Sequence, residues 1–369
     1  MAVSRTFIRG IQSSFGSNML RQSNSACIAS TSRHVLGPCS TYLGNVQSFS
    51  TSSSSSSKSE EGLERIKIPL EKLENLQDSK DVGHNLTGGK VGPHSKRTLA
   101  SFSMENKVCV VTGAARGLGN LMARTLIESG ANQVAFLDLN QESADQAAKE
   151  AAQWFEEHGQ VEKGILDTIG VSCDVSNEKS VKDAFDLIHA RWGRINTVIN
   201  SAGIVENFPA EQYPTEKYRK LMSINVDGSW FVANEAARRM ISDGTKDGSI
   251  VLVASMSASV VNVPQVQAPY NLSKAAVKHM ASSMGVEWAQ YNIRVNSLSP
   301  GYMYTNLTKV MIESTEEGKA LRKEWERRTP MGRMGLPEDL KGAAIFLASD
   351  ASKYVTSSDI IVDGGYSAV

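Results

Sequence analysis

Two tyrosines in this chain are followed four residues later by a lysine: Tyr213/Lys217 and Tyr270/Lys274. On a helix, residues i and i+4 share a face, so such a pair sets an ammonium beside a phenol. An unperturbed phenol ionises near pH ~10 and is a poor acid–base at neutrality until a nearby cation stabilises the phenolate. The chemistry on offer is proton exchange with the oxygen of an alcohol or a carbonyl. Tyr270 opens a run of good helical character to Val277, whereas Tyr213 is followed by Pro214 at a helix start, where the two side chains need not share a face. Ser257 lies 13 residues before Tyr270, just past an apolar run, where its hydroxyl can hold a substrate carbonyl against the phenol. The corresponding place for Tyr213 is taken by Asn200, and this difference selects the second pair.

A second constellation is the glycine run Thr112-Gly113-Ala114-Ala115-Arg116-Gly117-Leu118-Gly119. It follows an apolar strand pattern and opens a periodic helix, which suits a loop whose backbone amides approach a pyrophosphate. The helix N-terminus adds unpaired N–H groups and a positive dipole end. Asp138 ends the next strand pattern, where a carboxylate accepts hydrogen bonds from an adenosine ribose. Such a carboxylate repels the 2′-phosphate of NADP, so NAD is the expected cofactor; Arg116, a basic residue in the loop, keeps NADP open.

The elements that must position these groups are legible as a pattern. Strand-like runs cover Val108–Val111, Val134–Asp138, Gly170–Cys173, Thr197–Asn200, Ile250–Val253, Arg294–Ser297 and Asp359–Val362. Helix-period stretches lie between them, as in Leu118, Leu121, Met122, Thr125 and Leu126. Strands apolar on both faces and separated by helices predict an α/β, doubly wound fold with a seven-stranded parallel sheet, in one domain over 104–369.

Taken together, these residues resemble the short-chain dehydrogenases/reductases over essentially all of 104–369. The resemblance adds Asp174-Val175 after the third strand, Asn200-Ser201-Ala202-Gly203 after the fourth, Asn225 on the following helix, Pro300-Gly301 after the sixth and Val362-Asp363-Gly364-Gly365 near the end. Ser201 departs from the family, which usually has a second Asn there. The resemblance implies that Tyr270 exchanges the proton and Lys274 lowers its pKa while holding the nicotinamide ribose. It also implies that Ser257 polarises the carbonyl and that Asn225 anchors a relay water. The implied cofactor set is Gly113, Arg116, Gly117, Leu118, Gly119, Asp138, Asp174, Val175, Asn200, Ala202, Tyr270, Lys274, Pro300, Gly301, Tyr302 and Thr305. Hydride passes directly to or from the nicotinamide, so no metal is implied, and the few His and Cys residues show no ligand spacing.

The stretches Val261–Tyr270, Glu287–Asn292 and Pro300–Thr305 together resemble the family's polyol/ketose branch, and Asn262, Gln265 and Gln267, just before Tyr270, would suit a polyhydroxylated chain. A 3-oxoacyl thioester remains the alternative substrate, and a non-catalytic dinucleotide-binding scaffold the alternative class. The stretch from Met303 to about Arg328 is expected to form a lid over the substrate. Family habit implies a homotetramer or homodimer.

The 369 residues are 41% hydrophobic, and 39 Lys and Arg balance 39 Asp and Glu. That balance argues against a nucleic-acid binder. No apolar run approaches the roughly 18 residues of a membrane span, so no membrane insertion is expected. The neutrality is uneven: residues 1–59 hold five Arg or Lys and no Asp or Glu, leaving a net charge of −5 on 60–369. An acid-free, Arg- and Ser-rich start reads as a mitochondrial transit peptide, with a matrix location after its removal. A Ser-rich disordered tail without an address, and hence a cytoplasmic enzyme, is the alternative. Residues 60–103 read as a linker. Cys27 and Cys39 belong to the first segment; Cys109 and Cys173 read as buried reduced thiols.

Overall fold

The computed structural model describes residues 98–369. The expectations for 1–59, and for the linker as far as residue 97, lie outside the described residues. Seven parallel strands form one sheet: β1 Val108–Thr112, β2 Gln133–Asp138, β3 Asp167–Ser172, β4 Thr197–Asn200, β5 Gly248–Val253, β6 Ile293–Pro300 and β7 Asp359–Val362. Their order is β3-β2-β1-β4-β5-β6-β7. The chain therefore winds one way from β1 through β3, returns to β1's other side at β4, and opens a crevice there at the carboxyl ends of the strands. That switch point is where doubly wound sheets bind ligands.

The strands read as continuous apolar runs because both faces are covered. Val110 belongs to the core on one face, with Leu137, Phe185, Val198, Ile250 and Val295. Its neighbours Cys109 and Val111 belong to the other, with Met122, Phe136, Phe155, Ile199 and Leu298. Successive side chains on a strand point to opposite faces, so a two-sided core demands apolar residues at every position. Both cysteines are free and buried, and burial pushes each thiol up to about 12.

The helices on these faces are α1 Gly117–Glu128, α2 Gln141–Glu157, α3 Glu178–Trp192, α4 Thr215–Met222, α5 Gly228–Ser242, α6 Ala268–Trp288, α7 Asn306–Glu313, α8 Glu316–Arg328 and α9 Lys341–Ala348. A π turn, Ser223–Asp227, joins α4 to α5. Two helix starts are set by asparagine caps: Asn140 accepts from the Ser143 N–H at 2.8 Å, and Asn177 from the Ser180 N–H at 3.2 Å. Ahead of the expected boundary at 104, a 3₁₀ turn covers Thr98–Phe102. Phe102 there lies 6.3 Å from the Phe346 ring.

The strand expected at Gly170–Cys173 instead begins at Asp167 and ends at Ser172. It is one of the two edge strands, half exposed, and its polar first residues carry no apolar signal. Its open edge is capped by Gln141, which donates to the Gly170 carbonyl at 3.0 Å and accepts from the Ser172 N–H at 2.7 Å.

Candidate active site

The glycine loop leaves β1 at Gly113 and enters α1 at Gly117, both at positive φ of 65° and 62°, where only glycine sits without strain. A Cβ on Gly119 would lie 2.2 Å from the Gly113 carbonyl oxygen. The third glycine is thus required by the close approach of loop and helix. The loop is tied across the crevice as well. Asp138, at the end of β2, accepts from the Ala115 N–H at 3.0 Å and from the Leu139 N–H at 2.8 Å. Arg116 is exposed at the N-cap of α1, with Leu118 half-buried behind it. The cradle fits a dinucleotide: a side-chain-free turn, a helix N-terminus with no side chain capping it, and a carboxylate at the ribose position.

The remaining cofactor candidates line the carboxyl ends of β3, β4 and β6. Asp174 is held by Ser176, whose N–H and hydroxyl donate to it at 3.0 and 2.7 Å. Val175 is buried against Gly228 at the start of α5. Asn200 accepts from the Thr112 hydroxyl at 2.6 Å and donates to Ser229 at 2.9 Å. The Ala202 N–H donates to the Thr112 hydroxyl at 3.2 Å, and so the β1 and β4 ends are drawn together beside Gly113. Pro300 ends β6, and Gly301 packs so closely on Asp363 that a Cβ would fall 2.7 Å from its Cα. Thr305 commits its side chain to capping α7 through Thr308.

The four proton-handling candidates converge at the crevice from three elements. Asn225, fully buried in the π turn, accepts from the Ile204 N–H and donates to the Ile204 carbonyl, both at 2.9 Å, and donates to Ser273 at 3.0 Å. A Cβ on Gly203 would lie 3.3 Å from its Oδ1 and 3.4 Å from the Lys274 Nζ, so one glycine brings the amide and the ammonium to the same spot. Lys274 donates to the Val253 carbonyl at 2.8 Å, and its Nζ stands 5.8 Å from the centre of the Tyr270 ring. Burial lowers Lys274 to about 8. Burial raises the Tyr270 phenol above its ordinary value, a hydrogen bond with Ser255 opposing the rise. In this arrangement the lowering of Tyr270 by Lys274 expected from the sequence is not seen, because the ammonium is turned to Val253.

Ser257 sits on a 3₁₀ turn, Met256–Ala258, that follows β5. Ser255 donates to its Oγ at 3.0 Å and thereby links it to Tyr270. Ser255 was not among the expected site residues; its only signal was a second serine two places upstream. The competing Tyr213/Lys217 pair is used elsewhere. Lys217 bonds Glu206 at 2.8 Å, and Tyr213 packs edge-on against Phe208 at 5.3 Å.

The three amides form one network beside Ser257. Gln267 donates to Asn262 at 3.0 Å and reaches Ser257 at 3.5 Å. Asn262 and Gln265 both donate to the Tyr302 hydroxyl, at 3.0 and 2.8 Å. The stretch expected as a lid is the pair α7 and α8, folded around Ile312, Trp325 and Met334. The Trp325 ring stacks on Tyr302 at 4.1 Å. Tyr302, grouped with the cofactor residues on the sequence, places its hydroxyl in this amide network. Among the described residues, no cluster of His, Cys, Asp and Glu is arranged to hold a metal, and no helix is long and apolar enough to cross a membrane.

Comparison with known proteins adds to this geometry. A family model described as enoyl-(acyl carrier protein) reductase matches residues 113–367. The D-arabinitol 2-dehydrogenase (ribulose-forming) of Candida tropicalis is 42% identical over 272 residues, covering 73% of this chain and 95% of that protein. The NADH-dependent L-xylulose reductase of Ambrosiozyma monospora is 37% identical over 271 residues, covering 73% and 97%. The crystal structure of a gluconate 5-dehydrogenase from Burkholderia cenocepacia, in complex with NADP and tartrate, superposes with a TM-score of 0.65 at 34% identity, over 73% of this chain and 99% of that one.

Proposed function

Since the chain belongs to the short-chain dehydrogenase/reductase family, we propose that it is an NAD-dependent polyol dehydrogenase that interconverts a secondary alcohol of a pentitol or hexitol with the matching ketose. The observation that carries this reading is the amide and hydroxyl network of Asn262, Gln265, Gln267 and Tyr302 beside Ser257. A surface of fixed polar groups suits a polyhydroxylated chain: the amides pair with one another and with Tyr302, and an acyl chain would offer this surface no oxygen to bond. The names of the similar proteins, D-arabinitol 2-dehydrogenase and L-xylulose reductase, support the same substrate class.

The dinucleotide, when bound, supplies hydride transfer at the nicotinamide. The chain's residues do the rest. Gly113, Gly117 and Gly119 admit the pyrophosphate, and Asp138 takes the ribose hydroxyls. Ser257 donates to the substrate oxygen, and Tyr270 takes the proton from the alcohol or returns it to the ketone. Lys274 would hold the nicotinamide ribose and, drawn from the Val253 carbonyl toward Tyr270, would favour the phenolate, while Asn225 would anchor the water that continues the proton path toward solvent.

The test is a panel of initial rates with D-arabinitol, sorbitol, mannitol and acetoacetyl thioester, each with both nicotinamide nucleotides. Oxidation of a polyol with NAD is the expected result. Turnover of the thioester alone would instead favour the acyl reading, which the family model's description motivates. In the same panel, Asp138→Ala is expected to shift the preference toward NADP by on the order of a hundredfold, since like charges in contact cost several kcal/mol. An unshifted ratio would mean that Asp138 does not face the ribose.

The acid-free, arginine-bearing composition of residues 1–59 supports a mitochondrial address. Uptake by isolated mitochondria of the full chain, but not of one starting at residue 60, is its test. The family's habit supports a homotetramer or homodimer, which light scattering would distinguish from a monomer.

A further inference from the structure

We propose that Tyr302 is a specificity residue whose phenol O–H donates to a second oxygen of the substrate, next to the carbon that is oxidised or reduced. The inference rests on the polyol reading and assigns to one side chain the preference for a neighbouring oxygen.

The argument is one of hydrogen-bond direction. An indole N–H can only donate. The Trp325 Nε1 meets Gln265 at 3.2 Å, so the Gln265 atom it faces is the carbonyl oxygen, and the Gln265 amide nitrogen must turn to Tyr302, 2.8 Å away. Asn262 presents its nitrogen to the same hydroxyl at 3.0 Å, since its own carbonyl oxygen accepts from Gln267 at 3.0 Å. Two N–H groups therefore fill both lone pairs of the Tyr302 oxygen. Its proton is the capacity left, so the hydroxyl is held as a donor; the neighbouring Tyr366 phenol is its acceptor within the protein, from which a substrate oxygen draws it.

Its surroundings favour this role. Burial, with Tyr366 close by, pushes the phenol up to about 12, so it stays protonated at any working pH. The ring is clamped face-on by Trp325 at 4.1 Å and edge-on by Tyr366 at 5.2 Å, so the hydroxyl has little freedom to turn away. Position follows from the sheet. Tyr302 is two residues past the end of β6, and β6 pairs with β5, which leads into the turn bearing Ser257. The same network reaches the Ser257 Oγ through Gln267, and Ser257 also accepts from Ser255. Ser255 fills one lone pair of Ser257, the two Gln267 N–H groups serve Asn262 and Asn271, and none of these neighbours accepts the Ser257 proton, which is left to donate. The network thus aims two donors from one rigid frame, one at the reacting oxygen and one at its neighbour. A chain with oxygens on adjacent carbons matches both, whereas a monohydroxy alcohol uses only the first.

The test compares kcat/KM for a polyol and for a monohydroxy secondary alcohol such as 2-butanol, using the full chain and NAD. In Tyr302→Phe, which keeps the stacked ring, the polyol-over-monohydroxy ratio is expected to fall about tenfold, the value of one neutral hydrogen bond. Trp325→Phe keeps the stacking but frees Gln265 to flip, and a smaller fall in the same ratio is expected. An unchanged ratio, whether through equal losses or through none, would overturn the assignment of Tyr302. Absence of polyol oxidation by the unaltered enzyme would instead overturn the polyol reading, and the inference with it.

Discussion

Tyr270→Phe is expected to lower kcat by about 10³-fold while leaving NAD affinity within a few-fold of the unaltered enzyme. Phenylalanine keeps the ring between Lys274 and the Ser255–Ser257 pair and removes only the oxygen that handles the proton. Positioned acid–base groups contribute roughly 10²–10⁴-fold, and no other phenol is joined to Ser255 in the same way. Cofactor fluorescence titration and steady-state rates measured together make the comparison. Comparable turnover by the variant would mean that the proton is handled elsewhere and would reopen the non-catalytic, dinucleotide-binding reading.

Lys274→Met should lower kcat by at least about 10²-fold and, unusually for so damaging a change, give a pH-dependent gain in stability relative to the unaltered protein. The buried ammonium has a folded-state value of about 8, against 10.5 for the unperturbed group. Below pH 8 both states are protonated and the folded protein bears the full burial cost, on the order of 3 kcal/mol by the size of the shift. Between pH 8 and 10.5 the unfolded chain holds the extra proton, so the unaltered protein gains stability as pH rises. The variant lacks this slope but leaves the Val253 carbonyl without its partner, at a cost of about 1–3 kcal/mol. The stability difference between the two proteins, from denaturant midpoints at pH 7 and 10, should therefore move toward the unaltered protein at the higher pH. A difference independent of pH would refute a lowered Lys274.

The fold was legible where burial on both strand faces wrote a continuous apolar run. Thr197–Asn200, buried throughout, matches the pattern at both ends; Asp359–Val362 matches as well, although β7 is a partly exposed edge strand, because its last three residues are apolar. It was illegible at the start of β3, where Asp167 and Thr168 are polar because one side of this edge strand faces solvent. The buried face of α1 also lies slightly off the expected stripe, on Met122, Ala123, Leu126 and Ile127, with Leu118 and Leu121 only half covered. The site divides in the same way. Tyr270 and Lys274 share a helix, and the glycines share a loop, so spacing alone can relate them. Tyr302 and Trp325 meet only because α8 packs on the segment that follows β6, and no local period relates them to Asn262. Ser255 was passed over because its role depends on the turn that aims it at Tyr270.

The π turn between α4 and α5 has one more consequence. A π turn holds one residue more than an α turn, so everything after it is rotated by about 100° compared with an unbroken helix. That offset lets Asn225 lie fully buried beside Ile204 and Ser273 while Val232, Ala233, Ala236 and Met240 of α5 still face the sheet. Adding or deleting a single residue anywhere from Thr215 to Ser242 would bring one set into place only by swinging the other out. Over that span side chains are free to drift as far as packing permits, but the number of residues is not. The segment works as a counted spacer, and length, more than identity, is the quantity under constraint.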